Sequence, residues 1–258
     1  MQTILSDLGL ESPLVGTTVT AHIKSSGPDG FRCAVYDVAT GEARDALLPR
    51  ADAFDLPEGA APPELAQGSK VIALVVGVAA GQDPGSERLM LSVTAPELVE
   101  RLLAGFVDEL LNGKVVIKAI ARVAGTKTKI AVAPTVTGVD ARGACIGRGA
   151  SRLKGAQSLL NHGYGRERLE IIEYAKDPAA FLVNAMNPVQ VTDALAERGN
   201  AIVAVEEHQL SGGIGEGGLN AQLAGRLTGH YVRVVKTGTD LREALDQLVA
   251  DKAAAEKA

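Results

Sequence analysis

Hydrophobic residues in the first third of the chain recur in short runs, separated by stretches rich in turn-forming residues. Between residues 14 and 93 the runs are VTAHI, FRCAVYDV, ALLP, KVIALVVGV and RLMLSV. Short runs that are rich in β-branched and aromatic residues, and bounded by Gly, Pro, Asp and Ser, predict β-strands. Five such strands within about 80 residues predict a small, all-β closed barrel.

The second of these runs alternates between two faces. Phe31, Cys33 and Val35 fall on one face, and Arg32 and Tyr36 fall on the other. An exposed aromatic ring can stack on a nucleic-acid base, and a guanidinium beside it can pair with a phosphate. We therefore take Tyr36 and Arg32 as candidate RNA contacts on an OB-type barrel. An ordinary barrel surface is the alternative.

Helical and strand patterns alternate in the rest of the chain, and their order repeats. A helix predicted over residues 96–111 opens the first copy, which runs to residue 174, and the second copy covers residues 177–235. Each copy predicts a helix, two strands, two helices and a third strand, written αββααβ. The glycine turns between the paired helices begin at Gly147 and Gly215, 68 residues apart. The chain therefore contains two copies of one α/β module.

The turn in the second copy has three interpretations. Residues 215–218 read GEGG between two helices, and a G-x-x-G turn in this place is typical of KH domains, where bare backbone lets an RNA sugar-phosphate approach. Residues 213–218 also satisfy G-x-G-x-x-G, but a dinucleotide site needs its first glycine directly after a strand, and seven residues separate Val205 from Gly213. The glycines can also serve only to pack two helices closely.

Charge is distributed unevenly along a chain whose net charge is −5. Residues 1–113 hold 7 Lys and Arg against 16 Asp and Glu, whereas residues 114–236 hold 16 against 10. An anionic partner would therefore meet the repeated region rather than the barrel. The candidate RNA contacts in that region are Gly147, Arg148, Gly149, Ala150, Arg152, Lys154, Gly215, Glu216, Gly217, Gly218, Lys127, Lys129, Arg122 and Arg142.

Several classes of function find no support in the sequence. The four histidines have no companions at metal-ligand spacing, and no nucleophile elbow, zinc-protease helix or phosphate loop is present. We therefore expect no enzymatic activity, metal, cofactor or small-molecule substrate. No apolar run reaches membrane length, no secretory signal is visible, and Cys33 and Cys145 lie far apart. These features indicate a cytoplasmic protein with reduced thiols.

Six segments together resemble the RNA-binding body of the transcription factor family NusA. They are ALLPRADA, SVTAPELVERLL, KVVIKAIARVAGTKTKIAVA, GACIGRGASR, DPAAFLVNAMNP and IGEGGLNAQLAGRLTG. The resemblance implies an OB barrel of the ribosomal-protein-S-one type, two KH domains of the prokaryotic type and a short C-terminal helix. The implied domains are 14–95 for the barrel, 96–176 for the first KH domain with its linker helix, 177–236 for the second and 237–258 for the tail.

The resemblance also implies a function. Members of the family contact nascent single-stranded RNA behind RNA polymerase, and they modulate pausing, termination and antitermination. RNA polymerase and other elongation or ribosomal factors are then the expected partners, without a membrane. The tail carries an apolar helical stripe of Leu241, Ala244, Leu245, Leu248 and Val249, which either docks on the last domain or binds a partner.

Three departures from the family pattern bear on this prediction. Only 13 residues precede the barrel, so we expect the family's polymerase-docking domain to be absent, in a shortened relative or a fragment. Ala150 stands where the pattern has glycine, which leaves the path of the first turn open because alanine does not readily take positive φ. Glu216 brings a carboxylate to the second turn and is expected to repel phosphate. A scaffold that binds polymerase or ribosomal components, with weakened RNA binding, is the alternative function.

Overall fold

The structure is a computed structural model that describes residues 13–55, 65–81, 83, 85–162 and 166–255. These residues form two compact units. The first unit comprises residues 1–108, 123–127 and 147–168, and the second comprises 109–122, 128–146 and 169–258, within the described ranges. No helix in these ranges is long and apolar enough to cross a membrane.

The N-terminal strands close into a barrel, which confirms the predicted architecture. The strands are β1 (Thr18–Gly27), β2 (Gly30–Tyr36), β3 (Ala43–Pro49), β4 (Lys70–Ala80) and β5 (Glu87–Ser92). They close in the order β1-β2-β3-β5-β4. Neighbouring strands are antiparallel except β3 and β5, and the short helix α1 (Arg50–Ala53) follows β3.

The alternation predicted for β2 is present in the barrel. Phe31, Cys33 and Val35 are buried, and Arg32 and Tyr36 are exposed. The ring of Phe31 meets the ring of Phe54 edge-on, with centroids 5.9 Å apart. In a chain with only 3% aromatic residues, most of the remaining barrel core is Ala, Val, Leu and Ile.

The single helix predicted over residues 96–111 is wrong, because the structure contains two. Helix α2 (Pro96–Ala104) ends at Gly105, and helix α3 (Asp108–Leu111) begins three residues later. Glycine is a poor helix former, and the chain leaves the helix at this point to bury Val107 completely. The apolar stripe of α2 that suggested the helix is buried as expected.

The first αββααβ copy forms a three-stranded sheet with order β6-β7-β8. Its elements after the opening helix are β6 (Val115–Val123), β7 (Lys127–Pro134), α4 (Ala141–Ile146), α5 (Ser151–Leu160) and β8 (Arg168–Glu173). Within the first unit, α5 packs against α2, and an added Cβ at Gly155 would lie 2.5 Å from the ring of Phe106. This close approach positions the turn that precedes α5.

The second copy has the same order of elements, which confirms the repeat. They are α6 (Pro178–Ala185), β9 (Val191–Glu197), β10 (Asn200–Val205), α7 (Leu210–Ile214), α8 (Leu219–Thr228) and β11 (Tyr231–Lys236). The sheet order is β11-β10-β9, with β10 parallel to β11 and antiparallel to β9. Asp177 caps α6 by accepting a hydrogen bond from the Ala180 N–H at 2.7 Å.

Helix α9 (Leu241–Ala255) docks on the sheet of the second copy. Its buried residues Leu245 and Leu248 pack against Ile202 of β10. Val249, which was predicted on the same stripe, is 47% exposed, so that part of the prediction is wrong. Asp240 begins the helix by accepting hydrogen bonds from two backbone N–H groups. The last three residues of the predicted tail, 256–258, lie outside the described residues.

Candidate nucleic-acid interface

The first glycine turn joins α4 to α5 through three residues with positive φ. Gly147 has φ 73° and ψ 170°, Gly149 has φ 60° and ψ 23°, and Ala150 has φ 61° and ψ 26°. The Ala150 N–H donates to the Gly147 carbonyl at 3.0 Å and closes the turn. The path that the sequence left open is therefore one in which alanine takes the left-handed conformation.

The second turn, between α7 and α8, has the same backbone conformation. Gly215 has φ 80° and ψ 166°, Gly217 has φ 57° and ψ 23°, and Gly218 has φ 79° and ψ 5°. The Gly218 N–H donates to the Gly215 carbonyl at 3.1 Å. Ala150 thus adopts the conformation that glycine adopts at the corresponding position, at a cost of roughly 1–2 kcal/mol for an L-residue.

The glycines at the start of the two turns are required by close packing as well as by φ. An added Cβ at Gly147 would lie 2.7 Å from Cγ of Arg152, and one at Gly215 would lie 2.6 Å from the backbone N of Asn220. In contrast, an added Cβ at Gly149 or Gly217 would meet no heavy atom within 4 Å. The outer side of each turn is therefore open space that a ligand backbone can approach.

Arg148, Arg152 and Lys154 are cations in or just after the first turn. Arg148 is exposed, and its side chain has no hydrogen bond or ion pair among the described residues. Lys154 is exposed and donates from Nζ to the Gly149 carbonyl at 3.2 Å, which holds its charge beside the turn. Arg152 and Lys127 are half-buried. Arg148 and Lys154 are thus the two cations of this set that face solvent.

Two of the predicted contacts are wrong, because their side chains are buried. Lys129 is completely buried, and its Nζ donates to a carboxylate oxygen of Glu170 at 2.8 Å and to the carbonyl of Asn187 at 2.9 Å. Arg122 is only 7% exposed. A buried lysine needs such partners, because an unpaired charge in the interior is strongly unfavourable. We therefore exclude both residues from the interface.

Arg142 remains on the surface of the second unit. It is exposed, and its Nε donates to the carbonyl of Ile171 at 3.2 Å. This contact fixes the base of the guanidinium and leaves its outer donors facing solvent.

A groove of about 830 Å³ lies beside the second turn. Gly217 and Gly218 of the turn, one face of α8 and the first four residues of β11 line it. Gly225 lets α8 approach the chain that leads into β11, since an added Cβ there would lie 2.4 Å from the carbonyl oxygen of His230. The volume is in the range of ligand-binding clefts in proteins, roughly 300–1,000 Å³.

Sequence reasoning missed the side chains that line this groove. Tyr231 is 56% exposed at the start of β11, and Arg233 lies two residues further along the same strand. Arg226 of α8 and Lys252 of α9 add two more cations. The pair Tyr-x-Arg on the strand after the second helix was the available signal, because residues two apart on a strand share a face. Nothing in the sequence indicated that α9 reaches the groove.

Tyr36 of the barrel belongs to a small polar cluster. Its hydroxyl accepts a hydrogen bond from Lys24 Nζ at 3.0 Å, and its ring meets the ring of His22 edge-on at 4.9 Å. Burial, with the nearby charges of Lys70 and Lys24, lowers the pKa of His22. Arg32 lies exposed on the same strand, opposite Ser25 of β1. The cluster around Tyr36 therefore offers an aromatic ring and a cation together.

The repeated region matches two known domain families. Residues 93–174 match the NusA-like first KH domain, and residues 178–241 match the NusA-like second KH domain. These matches confirm the KH interpretation of the glycine turns, in preference to a dinucleotide site or simple helix packing.

Several proteins named NusA are similar to this chain over 60–65% of its length. The transcription termination/antitermination protein NusA of Mycobacterium tuberculosis (strain ATCC 25618 / H37Rv) is 42% identical over 173 residues, which is 65% of this chain and 47% of that protein. NusA of Thermus thermophilus is 38% identical over 172 residues, 65% of this chain and 43% of that protein. NusA of Bacillus subtilis is 37% identical over 158 residues, 60% of this chain and 41% of that protein.

The match thus spans less than half the length of each of these relatives. The two domain matches nevertheless follow one another in this chain, over residues 93–174 and 178–241. Residues 93–174 and 178–241 are therefore the first and second NusA-like KH domains of a NusA-like body, and a closed five-stranded barrel precedes them.

Proposed function

We propose that this protein binds single-stranded nascent RNA and acts on pausing, termination or antitermination of transcription. The observation that carries the proposal is the pair of G-x-x-G-type turns with the same backbone conformation in two NusA-like KH domains. The relatives are named as transcription termination/antitermination proteins, which supports the same process here. The proposed setting is the cytoplasm, with RNA polymerase and other elongation or ribosomal factors as partners and without enzymatic activity.

The turns are suited to a sugar-phosphate backbone. The open space beside Gly149 and Gly217 lets the strand approach the protein main chain. The first N–H groups of α5 and α8 have no partners within their helices, and anions are favoured at such helix starts. RNA lying along each turn would therefore be held by its backbone, which gives affinity without sequence choice.

The two KH domains would contribute differently to binding. In the first domain, Arg148 lies in the turn and Arg152 and Lys154 lie in the first four residues of α5, and these cations suit phosphate oxygens. In the second domain, the groove offers Tyr231 for stacking and Arg233 for pairing beside the turn. The Tyr36 cluster of the barrel would add a third contact of the stacking type.

The test is fluorescence-anisotropy binding of a labelled single-stranded RNA of roughly 20 nucleotides across a salt series. Each phosphate contact to a single strand adds about −0.7 to the slope of log K against log salt. The two solvent-facing cations of the first turn, Arg148 and Lys154, therefore predict a slope of about −1.4 or steeper. We expect submicromolar affinity at low salt.

Arg148→Glu is the informative variant. It should weaken binding at least about tenfold and reduce the magnitude of the salt slope by about 0.7, because one phosphate contact is lost and a repulsive charge is added. Lys176→Glu is the matched control. Lys176 is exposed, and in the sequence it follows the residues matched to the first KH domain and precedes those matched to the second. It makes the same change in net charge and should alter affinity less than about threefold, because Lys176 belongs to neither glycine turn and its replacement removes no predicted phosphate contact.

A scaffold function is the second candidate. The exposed Glu216 at the second turn and the acid excess of residues 1–113 favour a protein partner with basic surfaces. Absence of saturable binding to several unrelated RNAs at low salt would reject the RNA-binding proposal. Binding of purified polymerase or ribosomal proteins to the same preparation would then support the scaffold.

A further inference from the structure

The last turns of helix α9 lie against the groove of the second KH domain. Lys252 lines the groove, with its Nζ 5.1 Å from the centroid of the Tyr231 ring. The same Nζ donates to Oδ1 of Asn200 at 2.9 Å, which fixes the position of the ammonium. A helix outside the αββααβ core thus places a cation beside an exposed aromatic ring.

The residue before Lys252 acts on another cation of the groove. Oδ2 of Asp251 lies 2.6 Å from Nη2 of Arg233, and Oδ1 of Asp251 accepts a hydrogen bond from Nε2 of Gln247 at 2.7 Å. Both contacts favour the ionised carboxyl group and lower the pKa of Asp251, the contact with Arg233 having the larger effect. Asp251 is therefore a carboxylate at neutral pH, and it neutralises Arg233 in the free protein.

We propose that helix α9 is part of the RNA-binding site, in which Lys252 contacts the bound strand and Asp251 limits affinity by competing with phosphate for Arg233. The inference rests on the proposed RNA-binding function. It names two residues that set how tightly the groove of the second KH domain binds RNA. Lys252 is a binding residue in this scheme, and Asp251 is a positioning residue that acts through Arg233.

The docking of α9 does not depend on Asp251 alone. Arg242 forms a two-pronged ion pair with Glu197 of β9, at 2.8 Å and 2.6 Å. Leu245 and Leu248 are buried against the sheet. Removing the carboxylate of Asp251 therefore leaves the helix in place, so a change in RNA affinity can be separated from loss of the helix.

The size of the effect follows from the exposure of the ion pair. The side chains of Arg233 and Asp251 are 35% and 47% exposed. Exposed pairs of this kind are weak, and their loss typically changes an equilibrium by no more than about fivefold. Releasing Arg233 should therefore tighten RNA binding about two- to fivefold, and it should make the salt slope steeper by about 0.7 for one added phosphate contact.

The experiment compares Asp251→Asn with Glu197→Gln in the full chain, using the same labelled single-stranded RNA across a salt series. Both substitutions remove one negative charge and break one ion pair of α9, but neither Glu197 nor Arg242 lines the groove. We expect Asp251→Asn to tighten binding and steepen the salt slope, and Glu197→Gln to change affinity less than about 1.5-fold. Lys252→Gln should weaken binding about two- to fivefold.

The same Asp251→Asn substitution in a protein that lacks the Arg233 side chain isolates the role of Arg233. In Arg233→Ala protein, Asp251→Asn should no longer change RNA affinity, because no guanidinium remains to be released. Equal effects of Asp251→Asn and Glu197→Gln, or an effect of Asp251→Asn that persists without Arg233, would overturn the inference while RNA binding itself stands. Wild-type protein that binds no RNA would instead overturn the proposed function, and this inference with it.

Discussion

Ala150 is the position where the structure makes the clearest quantitative prediction. It is one of two non-glycine residues with positive φ in the described ranges, and it occupies the place of Gly218 in the second turn. Replacing Ala150 with glycine should therefore stabilise the start of α5. The reciprocal change, Gly218→Ala, should destabilise the start of α8.

The expected change in the free energy of unfolding combines two opposing contributions. An L-residue at φ 61° and ψ 26° is about 1–2 kcal/mol less stable than in the right-handed region, and glycine relieves this strain. Glycine in turn adds about 0.5–1 kcal/mol of conformational entropy to the unfolded chain. Ala150→Gly should therefore increase stability by about 0.5–1 kcal/mol. Gly218→Ala should lose a similar net amount, because the same strain is partly offset by the same entropy and an added Cβ there meets no atom within 4 Å.

Hydrogen exchange followed by mass spectrometry measures these changes locally. The relevant peptides cover α5 (Ser151–Leu160) for Ala150→Gly and α8 (Leu219–Thr228) for Gly218→Ala. A change of 0.5–1 kcal/mol corresponds to a roughly two- to fivefold change in protection, upward for α5 and downward for α8. The approach does not require the two compact units to unfold together.

The control is the same substitution at a position with ordinary helical backbone. Ala250 is exposed within α9, so Ala250→Gly should reduce protection of that helix by about 1 kcal/mol. The same chemical change should thus have opposite signs at residues 150 and 250. A loss of protection in α5 after Ala150→Gly would refute the argument that this alanine is strained.

Three further predictions follow from burial and charge. Lys129→Met leaves the Glu170 carboxylate without its buried partner, so it should destabilise the second unit by about 3 kcal/mol. Urea unfolding followed by circular dichroism measures this loss, and a loss below about 0.5 kcal/mol would contradict the assigned role. Burial raises the pKa of the Cys33 thiol to about 11, and Cys145 is completely buried, so iodoacetamide at pH 8 should label neither thiol until the protein is unfolded. Glu216→Arg should tighten RNA binding about fivefold or more, and unchanged or weaker affinity would count against repulsion at the second turn.

The architecture was predictable because its signals are local. Alternation in β2 and the apolar stripe of α2 each identified an element from neighbouring residues. The 68-residue spacing of the turns then identified the repeat without any knowledge of packing. The break after Ala104 was not predictable in the same way, because the periodicity continues beyond Gly105 and only the burial of Val107 shows that the helix ends.

Only the part of the candidate site that consists of main-chain turns could be predicted from the sequence. The glycine turns could be located from spacing, since their conformation restricts the residues that fit. Lys129 could not be assigned correctly, because its partner Glu170 lies 41 residues away and on another strand. Lys252 could not be assigned to the groove either, because the docking of α9 brings it there over 52 residues from Asn200. Side chains whose role depends on such distant contacts need the fold.

The two glycine turns have the same backbone shape but carry different charges. Both have the same sequence of dihedral angles, although the second residue is Arg148 in one and Glu216 in the other, and both of these side chains are exposed. The shape therefore does not depend on that side chain, which is free to set the affinity for anions. The same spacing of 68 residues relates Lys154 beside the first turn to Gln222, which lines the groove of the second domain. Cations thus lie at the first turn itself, whereas the cations of the second domain, Arg226, Arg233 and Lys252, lie in the groove beside its turn. Under the proposed RNA-binding function, we therefore expect phosphate contacts at the first turn itself and, in the second domain, contacts to phosphate and to a base in the groove beside the turn.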